Sequence, residues 1–253
     1  MNHLIRTRVL SPLLLAVLIL SGGCQPAEKK QNENHAAHLR WVSKSIEYAA
    51  SCRQVYEMAW PRVKRAAESQ IQNWTVVLDV DETVLNNVQY EVERAAVDSG
   101  FTPASWSAWV RREEASPIPG VADFLQRVRT LGPLAHVAFI TNRRFENEEA
   151  TTDNLRKLGL FHEGDAVLTK KDDADKKADR RQCLEEGTGR CAEFGPMKII
   201  ALFGDNIRDF MQMRGSEKAK AYLEQGLADD DNWGRKYFIL PNPIYGSWQR
   251  DYK

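Results

Sequence analysis

Net charge is what this 253-residue sequence most visibly lacks: 35 lysines and arginines meet 35 aspartates and glutamates. Removing residues 1–23 takes away Arg6 and Arg8 but no acid, leaving 33 basic against 35 acidic residues and a formal charge of −2. A chain so balanced offers no basic field for nucleic acid, which we exclude as a partner. Cysteine is scarce as well, at four residues. No His or Cys pair stands near Cys183 and Cys191 to complete a zinc site. The seven residues between those two cysteines leave two readings, a disulfide or a pair of unpaired thiols. Cys52 lies on a helical pattern and reads as a small buried residue. Long apolar runs are missing too, since Leu13–Leu20 is short for a membrane-spanning helix.

What is present is organised around Trp74–Asn87. Val76, Val77 and Leu78 form an apolar run with little alternation, the pattern of a strand buried on both faces in a parallel sheet. It ends abruptly in Asp79, Asp81 and Glu82, acids that are costly to bury unless protonated or held by a cation. Ligand sites in open α/β sheets lie beyond the carboxyl ends of strands, so this is a site. Side chains two apart share a side of a strand, which lets Asp79 and Asp81 converge. A divalent ion relieves their repulsion, and hard oxygen ligands favour Mg2+. One ionised aspartate can act as a nucleophile, the other can donate a proton, and Thr83 can bond a phosphate oxygen. An EF-hand is excluded because Val84 and Leu85 stand where its turn glycine belongs.

Four more apolar runs lie further along the chain. His136–Ile140 ends in Thr141, Asn142, Arg143 and Arg144, which supply donors for phosphate and a cap for the helix over 146–159. Ala166–Thr169 runs into the charged stretch Lys170–Lys177, where one lysine can neutralise a phosphoryl group. Ile199–Phe203 ends in Gly204-Asp205, with Asp209 one helical turn later and facing the same way. Tyr237–Leu240 is the fifth. Helical segments lie before the first run, at 37–71, with an apolar stripe including Trp41, Ile46, Tyr48, Cys52, Tyr56 and Ala59, and between the first two runs, at 86–109, carrying Tyr90, Trp106 and Trp109, and at 121–131. Pro61 breaks the first helix or opens a second, and Ser105 caps the helix holding both tryptophans.

Taken together, Asp79-Val80-Asp81-Glu82-Thr83, Thr141-Asn142-Arg143, the lysine cluster and Gly204-Asp205…Asp209 resemble the haloacid-dehalogenase-like phosphohydrolases with four aspartates. Leu78–Asn87 and Gly204–Phe210 are similar to the lipoprotein-e family, the class C bacterial acid phosphatases, which are lipid-anchored 5′-nucleotidases. The resemblance implies an α/β fold, a Rossmann-like parallel sheet of about five strands with helices on both faces and a small α-helical lobe. It places the phosphatase domain at 37–253, with the lobe drawn from about 37–72 and 86–120. It implies that Asp79 is the nucleophile and Asp81 the general acid and base. Asp79, Asp81 (through its carbonyl), Asp205 and Asp209 would form the Mg2+ site, with Thr141 and Lys176 on the phosphate.

The same resemblance bears on substrate and location. Tyr90, Trp106 and Trp109 are candidates to stack the base of a nucleoside monophosphate, or to be lobe core. Arg6, Arg8, Leu13–Leu20 and Ser21-Gly22-Gly23-Cys24 resemble a lipoprotein signal over 1–23, cleaved to leave a lipidated Cys24 and a polar tether over 24–36. That implies an outer-membrane lipoprotein, with plain secretion to the periplasm as the alternative. Two rival activities share the site: a phosphotransferase, and a surface lipoprotein that binds nucleotide or haem with little catalysis. Oligomeric state, monomer or homodimer, is left open, and a protonated Asp81 implies an acidic optimum.

Overall fold

The structure is a computed structural model that describes residues 37–213 and 215–251. The leader over 1–23, the tether over 24–36 and the lipidation candidate Cys24 lie outside the described residues.

All five apolar runs become strands of one parallel sheet: β1 (Trp74–Leu78), β4 (Ala135–Arg144), β5 (Ala166–Lys170), β6 (Lys198–Gly204) and β7 (Tyr237–Ile239), ordered β5-β4-β1-β6-β7. Each residue of β1 is buried, as its unbroken apolar pattern requires. Strand parity separates two cores: Val76, Leu78, Val137, Phe139 and Phe203 pack on one side, Val77, Ala138, Ile140 and Leu202 on the other. From β1 the chain goes first to β4 and β5, then returns to place β6 on the opposite flank. The topological switch point therefore lies between β1 and β6, at their carboxyl ends.

Helix α1 (Ile46–Glu68) and helix α4 (Val121–Arg129) cover the first face. Helix α5 (Glu148–Lys157), within the helix expected over 146–159, adds Leu155 to the same core beside β5. Tyr56, Phe124, Phe203 and Phe238 stack across this face, with ring centroids 4.8 to 5.5 Å apart. Each such pair adds about 0.5–1.5 kcal/mol beyond its area burial. The placement of α1 corrects the assignment of 37–72 to the lobe, because Cys52, Tyr56, Ala59 and Val63 are buried against the sheet core. Pro61 does not divide this helix. The missing N–H bond is tolerated because Ala59 and Val63, on either side of it, stay packed in the core. Ile46 falls outside the stripe and is exposed.

Helix α6 (Lys177–Glu186) covers the second face, against β4 and β6. Its last turn is tied by a disulfide between Cys183 and Cys191, whose Cα atoms are 5.7 Å apart. The lobe proper leaves and returns through a two-residue antiparallel stem, β2 (Leu85–Asn86) with β3 (Ser116–Pro117). It carries α2 (Val88–Ala96) and α3 (Pro103–Val110). The cap of α3 is Thr102, not Ser105: Pro103 takes the first helical position and Ser105 the third, where its hydroxyl accepts from the Thr102 backbone N–H.

Candidate active site

Asp79 continues the β1 ladder, its N–H donating to the Phe203 carbonyl at 2.9 Å. The chain then turns tightly, with Val84 and Leu85 both donating to the Val80 carbonyl. That turn puts Glu82 in the left-handed region (φ 56°), a strained place for a side chain. Its carboxyl, 1% exposed, accepts from the backbone N–H and the amide of Asn87 at 2.9 and 3.2 Å, which holds the turn.

Across the switch point, β6 ends at Gly204 and a short turn (Ile207–Asp209) follows. A Cβ on Gly204 would collide with the Asp209 side chain, so only glycine lets that carboxylate close in. Asp209 Oδ2 accepts from the Asn206 N–H at 2.9 Å, leaving Oδ1 turned to the site. One carboxylate oxygen from each of Asp79, Asp205 and Asp209 lies within 4.8 Å of the others. Lys177 Nζ sits among them, 2.5 Å from Asp79 Oδ1 and 2.6 Å from Asp209 Oδ1. Asp205 Oδ2 accepts from Asn242 Nδ2 at 2.7 Å, a contribution from the segment after β7.

The electrostatics follow from the burial. Asp79 is pushed up to about 7, first by burial and then by the Asp209 and Asp81 charges, against the lowering pull of Lys177. Asp205 is pushed well above the carboxylate range by burial and by Asp209 and Asp79. Burial pulls Lys177 down, but Asp209 and Asp79 outweigh it and the ammonium is held above its usual value. Once ionised, the three carboxylates against one ammonium leave two negative charges, the charge that one divalent cation neutralises. A hard all-oxygen donor set of this kind fits a hard divalent cation.

Asp81 takes no part in that cluster through its side chain. It is held on the lobe side: Arg143, its side chain fully buried, reaches Asp81 Oδ1 from Nε at 2.9 Å and Nη2 at 2.8 Å. Asn87 Nδ2 donates to the same oxygen at 3.0 Å. Thr141 Oγ1 lies 3.4 Å from Asp81 Oδ2, so the Thr-Asn-Arg motif does meet the first one.

Other candidates are placed differently. Lys176 is corrected to Lys177, since Lys176 precedes α6 and turns its ammonium back to the Asp173 carbonyl. Asn142 points away from Asp81: strand parity buries Thr141 and Arg143 and exposes Asn142, whose Oδ1 accepts from Arg180 Nη2 at 3.2 Å. Thr83 is fully buried and its hydroxyl meets no polar partner among the described residues, so its side chain is not open to a phosphate. Tyr90 and Trp109, 2% and 3% exposed, are lobe core and offer no face to a base. Trp106 is half-buried, edge-on to Tyr90 and 5.7 Å from the Arg143 guanidinium.

Sequence reasoning passed over Asn87, Arg180 and Asn242, left Lys177 as one of several lysines in Lys170–Lys177, and read Arg143 as a phosphate donor, whereas it pairs with Asp81. Arg180 is a strut, donating to the Thr141 and Leu168 carbonyls at 2.5 and 3.0 Å and so binding α6 to two strand ends. A signal for the α6 residues existed. Leu184 marks the buried face of the helix, and stepping back four and then three residues gives Arg180 and Lys177.

With this geometry in place, comparison with known proteins is informative. The chain matches the family described as HAD superfamily, subfamily IIIB (acid phosphatase), over residues 24–248. It is 25% identical to Acid phosphatase 1 of Solanum lycopersicum over 67% of this chain and 57% of that protein. It is 23% identical to the Stem 31 kDa glycoprotein of Glycine max over 71% of this chain and 63% of that protein. The chain therefore spans less than two thirds of the length of these curated relatives. Among solved structures, the class C acid phosphatase from Bacillus anthracis is similar, with a TM-score of 0.71 and 26% identity over 88% of this chain and 89% of that one. A tungstate-bound structure of the class C enzyme from the same organism has a TM-score of 0.73 and 26% identity, over 88% of this chain and 91% of that one.

Proposed function

This chain belongs to the acid phosphatases of HAD superfamily subfamily IIIB, and from that premise we propose that it is a magnesium-dependent phosphomonoester hydrolase working through an aspartyl-phosphate on Asp79. The convergence of Asp79, Asp205 and Asp209 around Lys177 carries the reading. A carboxylate beside an ammonium and a divalent-cation site is a nucleophile placed where phosphoryl charge is neutralised.

In the first step an Asp79 oxygen bonds to phosphorus as the ester P–O bond breaks, and Asp81 gives its proton to the departing alcohol oxygen. In the second, Asp81 takes a proton from water as the water oxygen bonds to phosphorus and the Asp79–phosphorus bond breaks. Lys177 pairs with the phosphoryl oxygens through both steps, and the Thr141 hydroxyl donates to them. Asp79 and Asp205, with the Asp81 carbonyl and Asp209 close by, would hold Mg2+, which supplies charge neutralisation of the phosphoryl group.

Nucleoside 5′-monophosphates are the proposed substrates, with Trp106 as the remaining aromatic face near the site. The leader pattern supports anchoring of the mature chain through Cys24 in the outer membrane.

Phosphate release from 5′- and 3′-nucleotides and aryl phosphates tests the proposal, using protein lacking residues 1–24, with magnesium and with chelator, beside Asp79→Asn. We expect metal-dependent turnover, preferring 5′-nucleotides and lost by about 10³-fold or more in Asp79→Asn. A folded, magnesium-loaded protein that turns over no phosphomonoester refutes it.

A further inference from the structure

Asn87 is fully buried, and each atom of its amide has a partner. Its Oδ1 faces two groups that can only donate, Trp109 Nε1 at 2.9 Å and Arg143 Nη2 at 3.2 Å. Its Nδ2 faces carboxyl oxygens, Asp81 Oδ1 at 3.0 Å and Glu82 Oε1 at 3.2 Å. An indole N–H and a guanidinium accept nothing, so the orientation of this amide is forced. The lobe thus reaches Asp81 through two side chains, Trp109 orienting Asn87, and Asn87 grips one carboxyl oxygen together with Arg143 from β4.

That grip is one-sided. Asp81 Oδ1 receives three donors, Asn87 Nδ2 and the Nε and Nη2 of Arg143, all at 3.0 Å or less. Among the described residues, Oδ2 has only Thr141 Oγ1, at 3.4 Å. An oxygen already accepting three hydrogens has no room for a proton of its own, and Oδ2 does. We propose that Asn87, Arg143 and Trp109 are positioning residues for proton transfer, holding Asp81 by Oδ1 so that Oδ2 faces the leaving oxygen. This rests on the reading of Asp81 as the general acid. Oδ2 releases its proton to the ester oxygen as the P–O bond breaks, and Arg143 pairs with the carboxylate that results. When water attacks, Oδ2 recovers a proton from it.

Trp109→Phe is the sharpest variant, since it keeps an aromatic ring in the lobe core and deletes one N–H. Asn87→Ala is the stronger one. Both are compared with Asp81→Asn and the unaltered protein on a leaving-group series, from dinitrophenyl phosphate through nitrophenyl and phenyl phosphate to glycerol phosphate. The inhibition constant of inorganic phosphate reports whether the phosphate site is intact. A dinitrophenolate departs without a proton, so loss of proton donation is felt only with poor leaving groups. In kcat/KM, which covers the steps through departure of the leaving group and not the later hydrolysis that also uses Asp81, Trp109→Phe should lose about fivefold on glycerol phosphate, the worth of one hydrogen bond. Asn87→Ala should lose about 10²-fold there, within the range of general acid catalysis. Both should stay within about twofold of the unaltered protein on dinitrophenyl phosphate, with phosphate inhibition unchanged.

A uniform loss of kcat/KM along the series, or none on glycerol phosphate, overturns the positioning role. If Asp81→Asn itself loses kcat/KM uniformly, the general-acid reading fails and the proposal with it. If the unaltered protein hydrolyses nothing, the phosphatase reading has failed instead.

Discussion

Lys177→Met against Lys176→Met separates two adjacent lysines that sequence alone confuses. The Lys177 ammonium is buried, 2.5 and 2.6 Å from two carboxylates of a three-acid cluster. Removing one partner from a buried ion pair costs about 3–5 kcal/mol, because the remaining charge has lost its partner in a poorly solvated place. Asp79 is already pushed up to about 7 with Lys177 beside it. Without the lysine the metal-free carboxyl retreats further toward the protonated form, and the developing phosphoryl charge loses its ammonium. Loss of an electrostatic stabiliser of a developing charge costs about 10²–10³ in kcat, so at saturating magnesium we expect Lys177→Met to fall by that much or more. Magnesium should restore much of its thermal stability and little of its activity. The Lys176 ammonium meets the Asp173 carbonyl, outside the cluster, and Lys176→Met should stay within about twofold of the unaltered protein. The assay is steady-state phosphate release, with thermal unfolding in magnesium and in chelator. A Lys177→Met enzyme of normal kcat beside an impaired Lys176→Met enzyme would refute the reasoning.

Reducing the Cys183–Cys191 disulfide, or replacing both cysteines by serine, should lower stability by about 2–3 kcal/mol, as expected for a loop of that size. Denaturant midpoints with and without reductant check it, and an unchanged midpoint refutes it. Magnesium should protect the fold more as pH rises. Asp79 titrates near 7 in the folded, metal-free chain and near about 3.9 in the unfolded one, so the folded state holds the extra proton between those values. Its contribution is therefore full below about pH 4 and lost as pH climbs through about 7. Metal binds the ionised carboxylates, so the rise in Tm on adding magnesium should grow from about pH 5 to about pH 8, and a flat increment refutes the assignment.

The sheet was legible because its strands are buried on both faces, where an unbroken apolar run has one economical home. Acids at the ends of such runs announce a site, which is why Asp79, Asp205 and Asp209 stood out. The cations that answer them did not, because a cation is placed by the phase of its own element. Thr141 and Arg143 point inward and Asn142 outward by the two-residue period of β4, so reading Thr141 and Asn142 as partners broke the rule that had paired Asp79 with Asp81. Lys177 needed the same counting on a helix, back from Leu184. Tyr90 and Trp109 failed for a different reason: nothing in a sequence says which way an aromatic ring in a small lobe faces. Trp109 faces in, and a buried indole N–H must find an acceptor. The one within reach is Asn87, which in turn holds Asp81. Acids from early in the chain are thus held by groups that arrive later, Asp79 by α6 and Asp81 by α3 and β4. The two acids do not both have their partners until the lobe and the second face of the sheet are in place, so the site is a property of the completed fold and not of its first strand.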